Sequence, residues 1–197
     1  MGSLSLSRRR GLSFDRPVAP VDSQNVSRGL KQRSRQRRVL ILGLGNLLMG
    51  DEGVGVHIAQ LLQNQELGSH VEVQDVGTAI LDALPSLEKA DRVIVIDAVK
   101  AEGAPGTVYR MPLAKFRTKS QIASMHGFDL QRVLRLTRTK HQPEVLVVGI
   151  EPEYIDWSLE LSKAVQQALP LALYAVKMEI ETSRRRGVQR SCGGELG

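Results

Sequence analysis

Short runs of apolar residues alternate with stretches of helical periodicity along most of the chain. Three runs, residues 39–44, 92–99 and 144–152, are apolar almost without interruption, which is typical of strands buried on both faces of a sheet. Residues 70–76 alternate between apolar and polar side chains, as a strand with one exposed face does. Residues 104–111 predict a turn followed by a strand in an edge hairpin.

Between these runs, apolar residues recur every three or four positions, which predicts helices. The predicted helices cover residues 53–63, residues 79–90 with an interruption at Pro85, residues 127–139, and a closing helix whose apolar face runs from Leu161 to Ile180. Strands that alternate with helices in this way predict an α/β fold. We expect a single domain with a mostly parallel, twisted sheet of about five strands and helices on both faces.

A glycine-rich turn with the sequence GLGNLLMGDEGVGV, residues 43–56, joins the first predicted strand to the first predicted helix. Turns of this kind often hold a phosphate, but this one presents Asn46, Asp51 and Glu52. A dinucleotide fingerprint would need a third glycine where Leu48 stands, and no Lys-Ser/Thr pair follows to make a P-loop. Repulsion between two carboxylates and a pyrophosphate, on the order of a few kcal/mol, exceeds the helix-dipole gain of about 1 kcal/mol. We therefore expect no nucleotide at this turn.

Further polar residues follow the other strands, at the edge of a parallel sheet where ligands bind. Asp75 ends the second predicted strand, Asp97 ends the third, and His126 stands just before a predicted helix. Together with Asp51 and Glu52, they bring carboxylate oxygens and an imidazole towards one crevice. That donor set suits Zn, Mn, Fe or Ni. The same groups could position and activate water for hydrolysis.

Each of these residues also has an ordinary structural explanation. Asp51 or Glu52 could cap the helix that follows. Asp97 could hold a loop through hydrogen bonds to backbone N–H groups, and His126 could be a plain loop histidine. Asp75 could shape the turn after its strand, or it could line the site. Spacing alone leaves these alternatives open.

Basic residues are concentrated at the two ends of the chain. Residues 1–38 hold ten Lys or Arg and two Asp, and residues 183–197 hold four Arg and one Glu. Residues 39–182 hold thirteen Lys or Arg against eighteen Asp or Glu, so the net charge of +6 comes from the ends. This distribution argues against nucleic-acid binding by the domain itself. We predict a disordered basic N-terminal arm over 1–37, the α/β domain over 38–182 and a flexible C-terminal tail over 183–197.

Export and membrane insertion are not expected. The basic stretch SRRRGLSF is not followed by the apolar run that a signal peptide needs. Uncharged stretches reach only about a dozen residues, which is too short to span a bilayer. The single cysteine, Cys192, cannot form a disulfide within the chain, which fits a reducing compartment. We expect a cytoplasmic monomer that binds neither a membrane nor nucleic acid.

Five segments of the chain match one known family in the right order. They read LGLGNLLMGDEGVGVHIAQLL, VIVIDAV, APGTVYRM, MHGFDL and VLVVGIEPE. Together they resemble the hydrogenase maturation proteases that process nickel–iron hydrogenases. The resemblance covers about residues 38–180 and leaves out both basic ends.

The resemblance implies a fold, an activity and a set of site residues. Members are single α/β domains that remove a short C-terminal extension from the hydrogenase large-subunit precursor once nickel has been inserted. They are grouped with the aspartic peptidases. Their metal-contacting positions match Glu52, Asp97 and His126, which would engage nickel contributed by the precursor. Asp97 or Glu52, or a metal-polarised water, would then attack the peptide bond, while Asn46, Asp51 and Asp75 are candidates to line the site.

The sequence leaves two other functions open. A non-proteolytic assembly chaperone could bind the large subunit through the same three metal-binding residues without cutting it. A basic nucleic-acid-binding protein would use the charged ends instead.

No Ser/His/Asp or Cys/His arrangement competes as a hydrolytic site, because no G-x-S-x-G occurs and the only cysteine lies in the tail.

Overall fold

Five strands form one sheet in the computed structural model, which describes residues 36–114, 127–138 and 142–189. The order across the sheet is β2-β1-β3-β5-β4; β2, β1, β3 and β5 run parallel, and β4 is antiparallel to β5. This arrangement confirms the predicted α/β fold with a mostly parallel sheet. The strands are β1 (Val39–Leu44), β2 (Val71–Gly77), β3 (Arg92–Ala98), β4 (Val108–Pro112) and β5 (Glu144–Ile150).

Helices cover both faces of the sheet. They are α1 (Val54–Gln63), α2 (Leu84–Leu87), α3 (Gly127–Leu136) and α4 (Lys163–Gln189). Alternate residues of β1 and β3 point to opposite faces, and every residue of both strands is buried, so each face has its own apolar core. On one face Ile41 and Ile94 pack in a core that includes residues of α1 and α4; on the other, Leu42 and Val95 share a core with residues of α2 and α3.

The edge strand differs from the prediction in its partner. The sequence predicts an edge hairpin at residues 104–111, and β4 does lie at the edge of the sheet. Its partner is β5, which follows only after α3, so the pair is not a local hairpin. Strand pairing across an intervening helix depends on tertiary contacts that no local pattern encodes.

Two helices also differ from their predicted limits. The stretch predicted as one helix with an interruption at Pro85 is a 3-10 turn, Ile80–Ala83, followed by α2, and Pro85 stands in the first turn of α2, where a missing N–H costs nothing. Helix α4 runs beyond residue 182, where we predicted the end of the domain, to Gln189. Ser183, just beyond the predicted limit, is buried, and its hydroxyl donates a hydrogen bond of 2.7 Å to the backbone oxygen of Glu179 one turn earlier. Within the described ranges, no helix combines the length and apolar character needed to cross a bilayer.

A network of ion pairs lies at the amino edge of the sheet. Arg92, the first residue of β3, is buried and binds the carboxylate of Glu179 from α4 and that of Glu144 from β5. Arg37 also binds Glu144, and Arg110 of β4 also binds Glu179. The buried carboxylate of Glu179 is therefore held directly by two arginines, and its role is structural.

Candidate active site

The glycine-rich turn folds back on itself at the carboxyl edge of the sheet. Gly45 has a φ of +133°, a backbone conformation that residues other than glycine rarely adopt. A Cβ atom at this position would collide with the backbone oxygen of Glu52. Gly45, which in the sequence resembles part of a phosphate loop, thus lets the backbone of the turn pass close to the backbone of Glu52.

Helix α1 packs directly on the ends of two central strands. A Cβ atom on Gly55 would collide with the backbone oxygens of Leu44 and Ile96, the residues near the ends of β1 and β3. The 3-10 turn Gly50–Gly53, which precedes α1, contacts β3 as a result. This close packing places the turn with Glu52 beside the strand that carries Asp97.

Glu52 and Asp97 are both buried at this edge, with 4% and 2% of their surface exposed. Glu52 lies in the 3-10 turn, while Asp97 lies near the end of β3, in register with Gly149 of β5. Burial of a carboxylate in its ionised form is unfavourable unless hydrogen bonds or a cation stabilise it. Both acids make interactions within the protein, and their position at the carboxyl edge of a mostly parallel sheet, where ligands bind, makes them candidates to contact a cation.

The predicted third ligand, His126, lies outside the described residues. Side chains alternate along β3, so Asp97 lies on the same face of the sheet as Val93 and Val95. Leu130 of α3 packs in the apolar core on that face. His126 directly precedes Gly127, the first residue of α3. Within 36–114, 127–138 and 142–189, no three His, Cys, Asp or Glu side chains are grouped as a metal site. The three-ligand site therefore stays a prediction, of which the described part supplies two carboxylates.

Asp51 has a different role from its neighbour Glu52. Its carboxylate is fully buried and accepts hydrogen bonds from the backbone N–H groups of Glu153 (2.8 Å), Tyr154 (3.3 Å) and Ser162 (2.7 Å). Those residues belong to the segment between β5 and α4. We expected Asp51 to line the site or to cap the helix, but its oxygens are engaged inside the protein, where they fix this segment to the glycine-rich turn.

Asn46 and Asp75 line one cavity of about 260 Å³ beside the turn. The side-chain oxygen of Asn46 accepts a hydrogen bond from the N–H of Leu48 (3.0 Å). The carboxylate of Asp75 accepts hydrogen bonds from the Gln60 amide (3.1 Å) and from the N–H of Gly77 (3.2 Å). Asp75 thus shapes the turn after β2 and also lines this cavity, while its part in the proposed site stays a prediction.

One buried acid of this edge was not among the predicted site residues. Glu151 directly follows β5, and its carboxylate accepts hydrogen bonds from the N–H of Ala101 (2.9 Å) and from the hydroxyl of Tyr109 (2.8 Å). Burial, together with this hydrogen bond and the nearby negative charge, raises the pKa of Tyr109 above its ordinary value. The signal in the sequence was an acid placed immediately after an apolar strand, as with Asp97.

The fold and the site define an α/β protein with two buried carboxylates, Glu52 and Asp97, at the carboxyl edge of a mostly parallel sheet. The family model described as hydrogenase maturation protease matches residues 56–179. The chain belongs to the hydrogenase maturation protease family, a family of peptidases, as the sequence resemblance predicts.

Similar proteins cover most of the chain. The hydrogenase 2 maturation protease of Escherichia coli strain K12 is 31% identical over 160 residues, which are 78% of this chain and 96% of that protein. The hydrogenase expression/formation protein HupD of Rhodobacter capsulatus is 42% identical over 169 residues, which are 82% of this chain and 79% of that protein.

Solved structures show the same fold. The hydrogenase maturating endopeptidase HybD from Escherichia coli superposes with a TM-score of 0.66 at 33% identity, over 74% of this chain and 93% of its own. The [NiFe] hydrogenase maturation protease HybD from Thermococcus kodakarensis gives a TM-score of 0.63 at 29% identity, over 73% and 99%. The α/β architecture deduced from the sequence is therefore that of solved maturation proteases.

Proposed function

We propose that this protein is an endopeptidase that removes the C-terminal extension of a nickel–iron hydrogenase large-subunit precursor after nickel has been inserted. The observation that carries the proposal is the pair of buried carboxylates, Glu52 and Asp97, at one edge of the sheet in a member of this family. The names of the similar proteins, which include a maturating endopeptidase and a [NiFe] maturation protease, support this substrate.

The nickel is part of the substrate in this proposal. Glu52, Asp97 and His126 would engage a nickel ion that the precursor already holds, so the ion serves as the recognition element. Two carboxylate oxygens and one imidazole are a donor set that suits a borderline divalent cation such as nickel. A precursor without nickel lacks the ion that these three residues would recognise, so it should bind poorly and escape cleavage.

The cut itself requires water and a base. Asp97 or Glu52 takes a proton from water, the water oxygen attacks the carbonyl carbon of the scissile peptide, and the C–N bond breaks as the proton passes to the leaving amine. Nickel held by the substrate would polarise groups near the scissile bond. This carboxylate chemistry is consistent with grouping the protein among the aspartic-type peptidases. We further propose that the enzyme is a cytoplasmic monomer that requires no nucleotide, membrane or nucleic acid.

The purified full-length protein and its nickel-loaded precursor allow a direct test. The intact mass of the precursor, measured after incubation, should fall by the mass of one C-terminal peptide, and that peptide should be found in the same sample. A stable complex with a precursor of unchanged mass would contradict the proposal and favour the non-proteolytic assembly chaperone.

A further inference from the structure

Two segments of the carboxyl edge are joined through their backbones next to Glu52. Met49 and Ser158 form an isolated parallel bridge. The N–H of Gly50 donates to the backbone oxygen of Ser158 (2.8 Å), and the N–H of Ser158 donates to that of Leu48 (3.0 Å). The segment that follows β5 is therefore held against the turn that carries the proposed site.

These paired segments expose large apolar side chains. Trp157 is 78% exposed, Leu159 is 72% exposed and Leu48 is 48% exposed; with the partly exposed Leu47, we call these four residues the apolar rim. The backbone bridge sets Leu48 beside Trp157. Exposed apolar groups gathered in one place mark interaction sites, and tryptophan is enriched among the residues that dominate binding energy.

The backbone beneath the rim is fixed by the chain's own groups. Asp51 binds the N–H groups of Glu153 and Ser162, on the two sides of Trp157 and Leu159 in the sequence. The hydroxyl of Tyr154 also donates to the backbone oxygen of Glu160 (3.1 Å). A pre-ordered surface loses less entropy on binding than a loose loop does.

The charged residues within the two segments that form the rim, 43–56 and 150–162, are all acidic. Glu153, Asp156 and Glu160 are exposed in the same segment as Trp157. Neither residues 43–56 nor residues 150–162 contain Lys or Arg. The acids of this segment favour a partner that combines apolar side chains with positive charge.

We propose that the apolar rim binds the C-terminal segment of the precursor, through apolar side chains flanked by Lys or Arg. This inference rests on the proposed function, and it is supported by the position of Leu47 and Leu48 in the same glycine-rich turn that carries Glu52. The rim thereby raises the affinity for the segment that is cut, while the carboxylates perform the cut.

Steady-state kinetics on the nickel-loaded precursor test the rim. The double variant Trp157→Ala/Leu159→Ala should raise KM by about tenfold or more and change kcat by less than about twofold. Leu171→Ala/Tyr174→Ala is the matched control, because it removes an exposed leucine and an exposed aromatic from α4, and it should leave both constants unchanged. An unchanged KM in the rim variant, or a loss confined to kcat, would overturn the inference.

A second variant tests the acidic residues beside the rim through the salt dependence of KM. Glu153→Gln/Glu160→Gln should raise KM by a few-fold and weaken the dependence of KM on salt, since it removes charges that attract a basic segment. The same KM and the same salt dependence as in the unmodified protein would rule out a basic partner.

A binding measurement separates this inference from the proposed function. A precursor left uncut by the unmodified protein refutes the proposed function, and the rim is then judged by titration with a synthetic peptide of the precursor's C-terminal segment. Affinity that falls about tenfold in Trp157→Ala/Leu159→Ala supports the rim. Equal affinity, no binding, or dimerisation of the protein that disappears in this variant overturns it.

Discussion

The carboxylate of Asp51 accepts a hydrogen bond of 2.7 Å from the backbone N–H of Ser162, a residue 111 positions later in the sequence. Its other oxygen accepts the N–H groups of Glu153 and Tyr154. One buried acid therefore fixes both ends of the segment that lies beside the proposed site. The next residue, Glu52, belongs to the same 3-10 turn, so its position depends on this anchorage.

Loss of the Asp51 carboxylate should loosen that segment. Asp51→Ala leaves three N–H groups without their acceptor, so we expect the free energy of unfolding to fall by about 3 kcal/mol. Denaturant titration measures the loss, and hydrogen exchange should show faster exchange at Glu153, Tyr154 and Ser162. Asp82→Ala, a change at an exposed acid, should shift stability by less than about 0.5 kcal/mol. Equal stability of the two variants would contradict the anchoring role.

The proposed site predicts loss of activity without loss of fold. Asp97→Asn and Glu52→Gln keep the size of the side chain and remove the charge, so each should lower kcat/KM on nickel-loaded precursor by at least about 100-fold. His126→Ala should abolish processing in the same assay. Asp82→Asn is the matched surface control and should retain full activity. Circular dichroism checks that the variants stay folded, and full activity in folded Asp97→Asn would refute the site assignment.

The pair of Tyr109 and Glu151 predicts a dependence of stability on alkaline pH. Burial raises the pKa of Tyr109, so the folded protein holds the phenol proton at a pH where the unfolded chain has lost it. The stability this gives is complete below about pH 10 and is lost as pH rises through the higher pKa of the folded state.

Denaturant titrations on the two sides of about pH 10 test this link. Tyr109→Phe should be less stable than the unmodified protein at neutral pH, since it leaves Glu151 without one donor, and it should lose less stability above about pH 10. Tyr174→Phe, a change at an exposed residue of α4, should follow the unmodified protein. Parallel curves for Tyr109→Phe and the unmodified protein would rule out a linked phenol.

The ion network at the amino edge predicts unequal effects of the same substitution on one helix. Glu179 is 1% exposed and binds Arg92 and Arg110, whereas Glu181 is exposed and pairs with Arg184 one turn later. Glu179→Gln weakens the partner of a buried arginine and should lower the free energy of unfolding by about 3–5 kcal/mol. Glu181→Gln should change it by about 0.5 kcal/mol or less. Similar losses in the two variants would show that burial does not decide the effect.

The strands were predictable where burial dictates composition. β1 and β3 need apolar side chains on both faces, so their runs stand out in the sequence without any knowledge of the neighbours. The partner of β4 was not predictable, because its pairing with β5 forms across α3. The end of α4 was missed because the arginine-rich composition after residue 182 suggested a tail, although Ser183 is buried.

The sequence predicted which acids stand near the strand ends, but not what each of them contacts. Asp51 and Glu52 are adjacent acids in one turn, and only the course of the segment after β5 decides which of them binds backbone N–H groups. Trp157 and Leu159 are typical core residues by composition, and their exposure depends on how that segment lies on the turn. Features that arise between distant segments were the ones that local patterns could not supply.

Nickel-dependent cleavage is the central claim, and one comparison tests it most directly. The purified protein is incubated with nickel-loaded and with nickel-free precursor, and intact mass is followed over time. We predict that only the nickel-loaded precursor loses its C-terminal peptide, because only that form brings a cation to Glu52 and Asp97. Cleavage of both forms at the same rate, or of neither, would contradict the account.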